Sequence, residues 1–289
     1  LMLANTYIGP TTLTAGTLYT RGTGAEFSYD SSEGRSLTLV GNGATVNGPS
    51  VSGFPVITLR GGTIDVSHLD VLMAANASTG LSIAGADTVG TVDDVDVSGT
   101  TTDVSARGIL LAGTTMATNL VSSAAVSNGI TLNGGDVTLE GADVSGATDR
   151  QIEVAGGTAT ITDVTTHDPA TSSVAGLQAN DQSAVVTARR LRISGSSPAA
   201  SALFGSTLTL TDSLIRLTGN LATGLSASDL GNPAPLGSTL TADRVTIAGT
   251  GATGQTGAAV GGGTATEQDT MTINVRSSIV TGVPITFSC

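Results

Sequence analysis

A short phrase recurs along this chain at intervals of 22 to 32 residues, and a repeat of that length constrains the fold more than any other feature. It is clearest in GGTIDVSHLDV (61–71), GGDVTLEGADVSG (134–146), GGTATITDVTT (156–166) and GSTLTADRVTIAGTG (237–251). An apolar residue alternates with a small polar one, a polar pair follows, and then apolar–x–apolar. Val66, Val92, Leu139, Ile161, Ala188, Leu210, Ala242 and Ile273 hold the equivalent apolar place. The one interval of 47 residues fits two units, with the second near 113–129. A further alternating piece precedes each unit, as in Leu81–Ile83, Ile130–Leu132, Gln151–Val154 and Leu177–Ala179.

Each repeat therefore predicts about three short strands separated by turns. Period-two alternation sends one side chain inward and the next to water. Parallel sheets covered on both faces read instead as unbroken apolar runs, so here one face of each strand is wet. A chain that stacks strands in parallel and leaves their outer face exposed is an all-β solenoid. We expect a single-stranded right-handed parallel β-helix of about ten coils, three short strands each, forming a rod on the order of 50 Å long at the usual strand spacing. Glycine pairs such as Gly61-Gly62, Gly134-Gly135 and Gly156-Gly157, with the triplet Gly261-Gly262-Gly263, suit the corners. Residues 1–289 read as one domain. Its parts are an irregular N-terminal cap over 1–35, which holds all three tyrosines, and coils over 36–285. Leu225–Gly237 and Gly249–Thr266 break the period and read as projecting loops.

Composition narrows the function classes. Aromatics are 2% of the chain and tryptophan is absent, which suits a narrow core of Val, Ile, Leu and Ala. Net charge is −12 and every basic residue is arginine, so nucleic acid is excluded as a natural partner. No run of 18 apolar residues exists, so no transmembrane helix is expected. The first residue is Leu1, which fits a fragment or a processed product. The lone Cys289 then reads either as a free thiol or as half of a disulfide whose partner lies elsewhere.

Ser36–Gly48, SLTLVGNGATVNG, resembles the first-coil phrase of pectin-lyase-like right-handed β-helices, and the later coils resemble bacterial extracellular β-helix repeat proteins. That resemblance implies an extracellular or cell-surface location and polysaccharide as the natural partner. It does not imply one activity, since the superfamily holds lyases, hydrolases, epimerases and non-enzymatic adhesins. Hydrolases need carboxylates about 5–10 Å apart. Lyases need acidic residues to hold Ca²⁺ and a basic residue to take a sugar proton. The chain has no Asn-Thr-Asp, Gly-Asp-Asp or Gly-His-Gly run of the polygalacturonase type, and Asp93-Asp94 is its one acidic pair.

The polar pairs of successive repeats suggest one ladder. If their register holds, Asp163, Arg190, Asp212 and Arg244 stack along one edge of the rod. Such a ladder reads as a glycan-facing groove or, more simply, as a solvated corner of alternating charge. Arg189-Arg190-Leu191-Arg192 reads in the same two ways, as a site for a sulfated or uronic-acid glycan or as a solvent-facing strand edge. His68 and His167 lie too far apart to share a metal, and no zinc spacing exists. Asn76-Ala77-Ser78 is a formal glycosylation sequon. The leading expectation is a non-catalytic extracellular structural or adhesive module able to bind glycan. It needs no cofactor, and catalytic and metal residues are not assigned. The alternatives are a polysaccharide lyase or hydrolase, with Ca²⁺ only in the lyase case, and a self-associating filament subunit.

Overall fold

The computed structural model describes residues 17–19, 27–30, 36–48, 53–74, 77–228, 237–261 and 271–283. Every pairing between its strands is parallel. The described strands form an 18-stranded and a 10-stranded sheet, each coil contributing to both. Within one coil the chain runs along the ten-stranded sheet at Arg150–Val154 and turns at Gly156-Gly157. It then enters the wide sheet at Thr158–Thr162, bends sharply, and continues in that sheet at Thr165–Thr166.

Seven successive turns, from Arg107 to Thr281, carry three separate strands each. In the turns before them a single long strand, such as Thr63–Met73 or Val89–Gly99, runs round the bend. The expectation of about ten coils of three short strands is corrected to that extent. The reason lies in the bend itself: in the early coils the ladder stays paired through the corner, as in Ser67↔Asp93 followed by Leu69↔Val95.

The bend is a one-residue corner. Asp163, Arg190, Asp212 and Arg244 have φ of 56°, 55°, 50° and 54°. This left-handed conformation turns the chain while leaving each N–H free to bond the next coil. Asp163 donates to the carbonyl of Arg189, Arg190 to Thr211, Asp212 to Asp243 and Arg244 to Arg276, all at 3.1 Å. His68, Asp94, Asn119 and Gly141 occupy the same corner in earlier coils. Asn and Asp tolerate this region better than most residues, which explains the polar character of the pair.

Inward residues stack in columns. Val66, Val92, Ala117, Leu139, Ile161, Ala188, Leu210 and Ala242 follow one another in register and are fully buried. Leu81, Ile109, Ile130, Ile152 and Leu177 do the same from the opposite sheet. Each large aliphatic side chain removed from water contributes about 1.5–3 kcal/mol, and these columns form one continuous core.

The projecting loops are shorter than the sequence suggests. Thr223–Ser228 and Thr256–Gly261 are strands of the ten-stranded sheet. Their Gly-, Ala- and Ser-rich sequence looks like loop, but the inward places there accept small residues, and Leu225, Ala227 and Ala258 fill them. Within the 1–35 region, Thr17–Tyr19 and Phe27–Asp30 are parallel strands, paired with Thr45–Asn47 and Ile57–Arg60. The rest of that region lies outside the described residues, as do Asn76, 229–236, Gly262-Gly263 and Cys289.

Candidate functional site on the ten-stranded sheet

Most coil faces repeat small residues, and the middle of the ten-stranded sheet departs from that pattern. An irregularity repeated from coil to coil shapes its outer face. Asn128 pairs with Arg150 and Ile130 with Ile152, while Gly129 and Gln151 between them are skipped. These two tuck inward: a Cβ on Gly129 would sit 2.4 Å from Val144 Cγ1. With two neighbours turned in, Arg150 faces outward, Ile152 inward and Glu153 outward. Two outward columns result. One runs Thr79, Arg107, Asn128, Arg150 and Ala175, and the other Ser82, Leu110, Thr131, Glu153, Gln178 and Ser201.

Charged and amide side chains converge where these columns meet. Glu153 is 6% exposed and is the one charged residue in the buried class among the described residues. Asn128 Nδ2 donates to its Oε2 at 2.7 Å and Asn180 Nδ2 to its Oε1 at 2.9 Å. Arg150 Nη1 stands 3.4 Å from Oε1 and donates to Asp149 Oδ2 at 2.7 Å. Both carboxylates thus lie against one nitrogen, and their nearest oxygens are no more than about 6 Å apart, close to the carboxyl spacing of retaining glycosidases. Arg150 Nε also donates to Gln178 Oε1, and Gln178 Nε2 donates to Ser201 Oγ at 3.3 Å. A buried carboxylate is tolerated when donors and an opposite charge satisfy it, and here two amides donate to it beside the Arg150 guanidinium.

The ladder Asp163, Arg190, Asp212 and Arg244 lies elsewhere, on the corner of the wide sheet. Arg190 Nε donates to Asp163 Oδ1 at 2.5 Å. Arg244 Nε donates to Asp212 Oδ1 at 2.6 Å, and Arg189 Nε stands 3.2 Å from Asp212 Oδ2. The Arg190 hydrogen bond holds the Asp163 carboxyl below its ordinary range, and Arg244 does the same for Asp212. Each charge in this ladder is already answered by its neighbour in open solvent.

His68 Nδ1 lies 2.7 Å from Asp94 on the same corner. His167 is held at both ends, Nδ1 2.8 Å from Asp168 and Nε2 2.9 Å from Asp143. The hydrogen bond to Asp168 is the main cause that raises its pKa above 6.5, with the nearby Asp143 charge adding to it. Among the described residues no three His, Cys, Asp or Glu side chains converge in a way that could hold a metal ion. No helix among them is long and apolar enough to cross a membrane.

The Glu153 cluster was not singled out in the sequence, where Gln151–Val154 reads only as a strand. A signal was present. Aligned by coil, the outward places hold Thr, Ser, Leu or Ala in most coils, and Arg107, Asn128, Arg150, Glu153, Gln178 and Asn180 interrupt that pattern in four successive coils.

No family model matches this chain, and no curated protein matches it. Among solved structures it is similar to the catalytic unit of a thermostable GH87 alpha-1,3-glucanase from Streptomyces thermodiastaticus strain HF3-3. The TM-score is 0.51 at 16% identity over 93% of this chain. The fold is the right-handed parallel β-helix of the pectin-lyase-like kind. This β-helix spans 60% of the glucanase structure it matches, and the likeness is one of fold.

Proposed function

We propose that this β-helix is a carbohydrate-active domain that binds polysaccharide along the outer face of its ten-stranded sheet and cleaves glycosidic bonds there. The observation that carries the reading is Glu153, a buried carboxylate with Asp149 close by, set among amides and a guanidinium in the middle of that face. Planar polar side chains of this kind suit sugar hydroxyls, which both donate and accept. In cleavage, one carboxyl of the pair passes a proton to the leaving glycosidic oxygen and the other meets the sugar carbon. Water then completes hydrolysis. The glucanase of similar fold supports a glycan substrate over the purely structural role, and a polymeric substrate favours an extracellular or cell-surface location.

Arg150 favours a second reading. It ties both carboxylates together, an arrangement that also suits binding without cleavage. Glu153→Gln and Asp149→Asn separate the two. The assay is release of reducing ends from an α-glucan and from a uronic-acid glycan, with retention on the same polymers measured alongside. Under the enzyme reading the wild type cleaves, and each variant loses about 100-fold or more of rate, the usual contribution of a positioned acid or base. Retention without cleavage by the wild type supports the binding module. Neither retention nor cleavage overturns both.

A further inference from the structure

Charge is segregated along the arm of the wide sheet that follows the corner. One outward column there runs Asp70, Asp96, Val121, Asp143, Thr165, Arg192, Leu214 and Thr246, each in register with the next. Two residues further along their strands, Leu72 and Arg216 face the same way. The carboxylates stand in the early coils and the guanidinia in the late ones. Asp70 and Asp96 are direct register partners, and like charges on neighbouring strands repel. Burial and the Asp70 charge raise the Asp96 carboxyl above its ordinary range.

The two arginines are equally unanswered. Arg192 and Arg216 are exposed, and neither makes an ion pair among the described residues. Asp163, the carboxylate that feels the Arg192 charge, is taken up by Arg190 at 2.5 Å. Leu72, Val121 and Leu214 are large apolar side chains exposed on the same face.

This face is self-complementary about its middle. Asp96 lies two coils before Asp143, and Arg192 two coils after it. Asp70 lies three coils before, and the Leu214–Arg216 strand three coils after. A two-fold axis through Asp143, parallel to the strands, lays a second copy antiparallel on the first. Asp96 of each copy then meets Arg192 of the other. Leu72 meets the stem of Arg216, whose guanidinium reaches diagonally to Asp70. Asp143 sits at the axis, where His167 already answers it at 2.9 Å. We propose that this arm of the wide sheet is a dimerisation face whose partner is a second, antiparallel copy of this chain. Such an isologous contact satisfies both idle charge pairs twice and covers the exposed Leu and Val side chains. It leaves the ten-stranded sheet open.

The test is sedimentation equilibrium of the whole chain at about 0.15 M salt. There the Debye length is about 8 Å, and the repulsion between two chains of net charge −12 is largely screened. Wild type is expected to form a dimer and no larger species at up to about 100 µM, because exposed ion pairs are individually weak. Asp70→Arg with Asp96→Arg should weaken self-association by about tenfold or more, and so should Arg192→Asp with Arg216→Asp. Each substituted residue enters the interface twice, and reversal turns attraction into repulsion. A one-to-one mixture of the two double variants should recover the dimer, since opposite charges then face each other at both ends. Far-UV circular dichroism checks that each variant keeps the fold. A monomeric wild type, growth beyond the dimer, a dimer indifferent to the folded double variants, or a mixture that fails to associate each overturns the proposal.

Discussion

The tuck at Gly129 makes an exacting demand on a single residue. The Gly129→Ala substitution adds one methyl group whose carbon would lie 2.4 Å from Val144 Cγ1 and 2.7 Å from the Gln151 carbonyl oxygen. The first contact is with a side chain that can shift. The second is with backbone belonging to the strand that carries Arg150 and Glu153, and that strand is held in register on both sides. Overpacking of this kind costs typically 1–3 kcal/mol, and the rigid carbonyl places Gly129→Ala near about 3 kcal/mol. For a chain of this size, melting should then fall by about 6–12 °C. Gly134→Ala is the control. Gly134 has φ of 76°, and an added Cβ would meet nothing within 4 Å, so only the left-handed backbone is penalised, at about 1 kcal/mol and about 2–4 °C. Thermal melts followed by far-UV circular dichroism compare the two. Gly129→Ala should also disturb the Glu153 cluster, because relief of the clash moves the Arg150–Val154 strand. If Gly129→Ala melts no lower than Gly134→Ala, the inward tuck, and with it the outward setting of Arg150, is refuted.

Two further outcomes follow from the electrostatics. His167 gains its charged-form partners on folding, so its folded pKa lies above 6.5. The stabilisation it brings is complete below the unfolded value and fades as pH rises through the raised folded one. The melting difference between wild type and His167→Gln should therefore be larger at pH 6 than at about pH 9, and a difference that grows with pH would contradict the Asp143–His167–Asp168 geometry. Arg190→Ala with Asp212→Ala should leave glycan binding and cleavage unchanged, because these residues lie on the corner of the wide sheet. Loss of activity in this folded double variant would return the ladder to the list of glycan-facing residues.

The solenoid was legible because its rules are local and repeated. Alternation fixed which residue of each strand faces inward, and the recurring polar pair marked a corner that one left-handed residue makes. That same reading could place Asp163, Arg190, Asp212 and Arg244 in one column, because strand register alone determines it. It could not find the Glu153 cluster, because the irregularity beneath it breaks the alternation used to find everything else. Strict period two puts Arg150 on the same side as Ile152 and Val154, hence inside. The tuck of Gly129 and Gln151 reverses this, and what forces it is the opposite arm of the coil, where Val144 leaves room for no more than a glycine at 129. Glycine at equivalent places in other coils, at Gly80, Gly108, Gly176 and Gly224, meets the same crowding from Val97, Ser122, Ile193 and Ile247. Val56, Gln151 and Ala199 depart from that column, and the Gln151 Nε2 reaches the His167 carbonyl at 3.0 Å. A repeat protein concentrates a site by breaking its own repeat, and here charged and amide side chains interrupt the outward columns of small residues over successive coils. That interruption is the strongest reason to look for chemistry at Glu153 rather than along the more regular ladder.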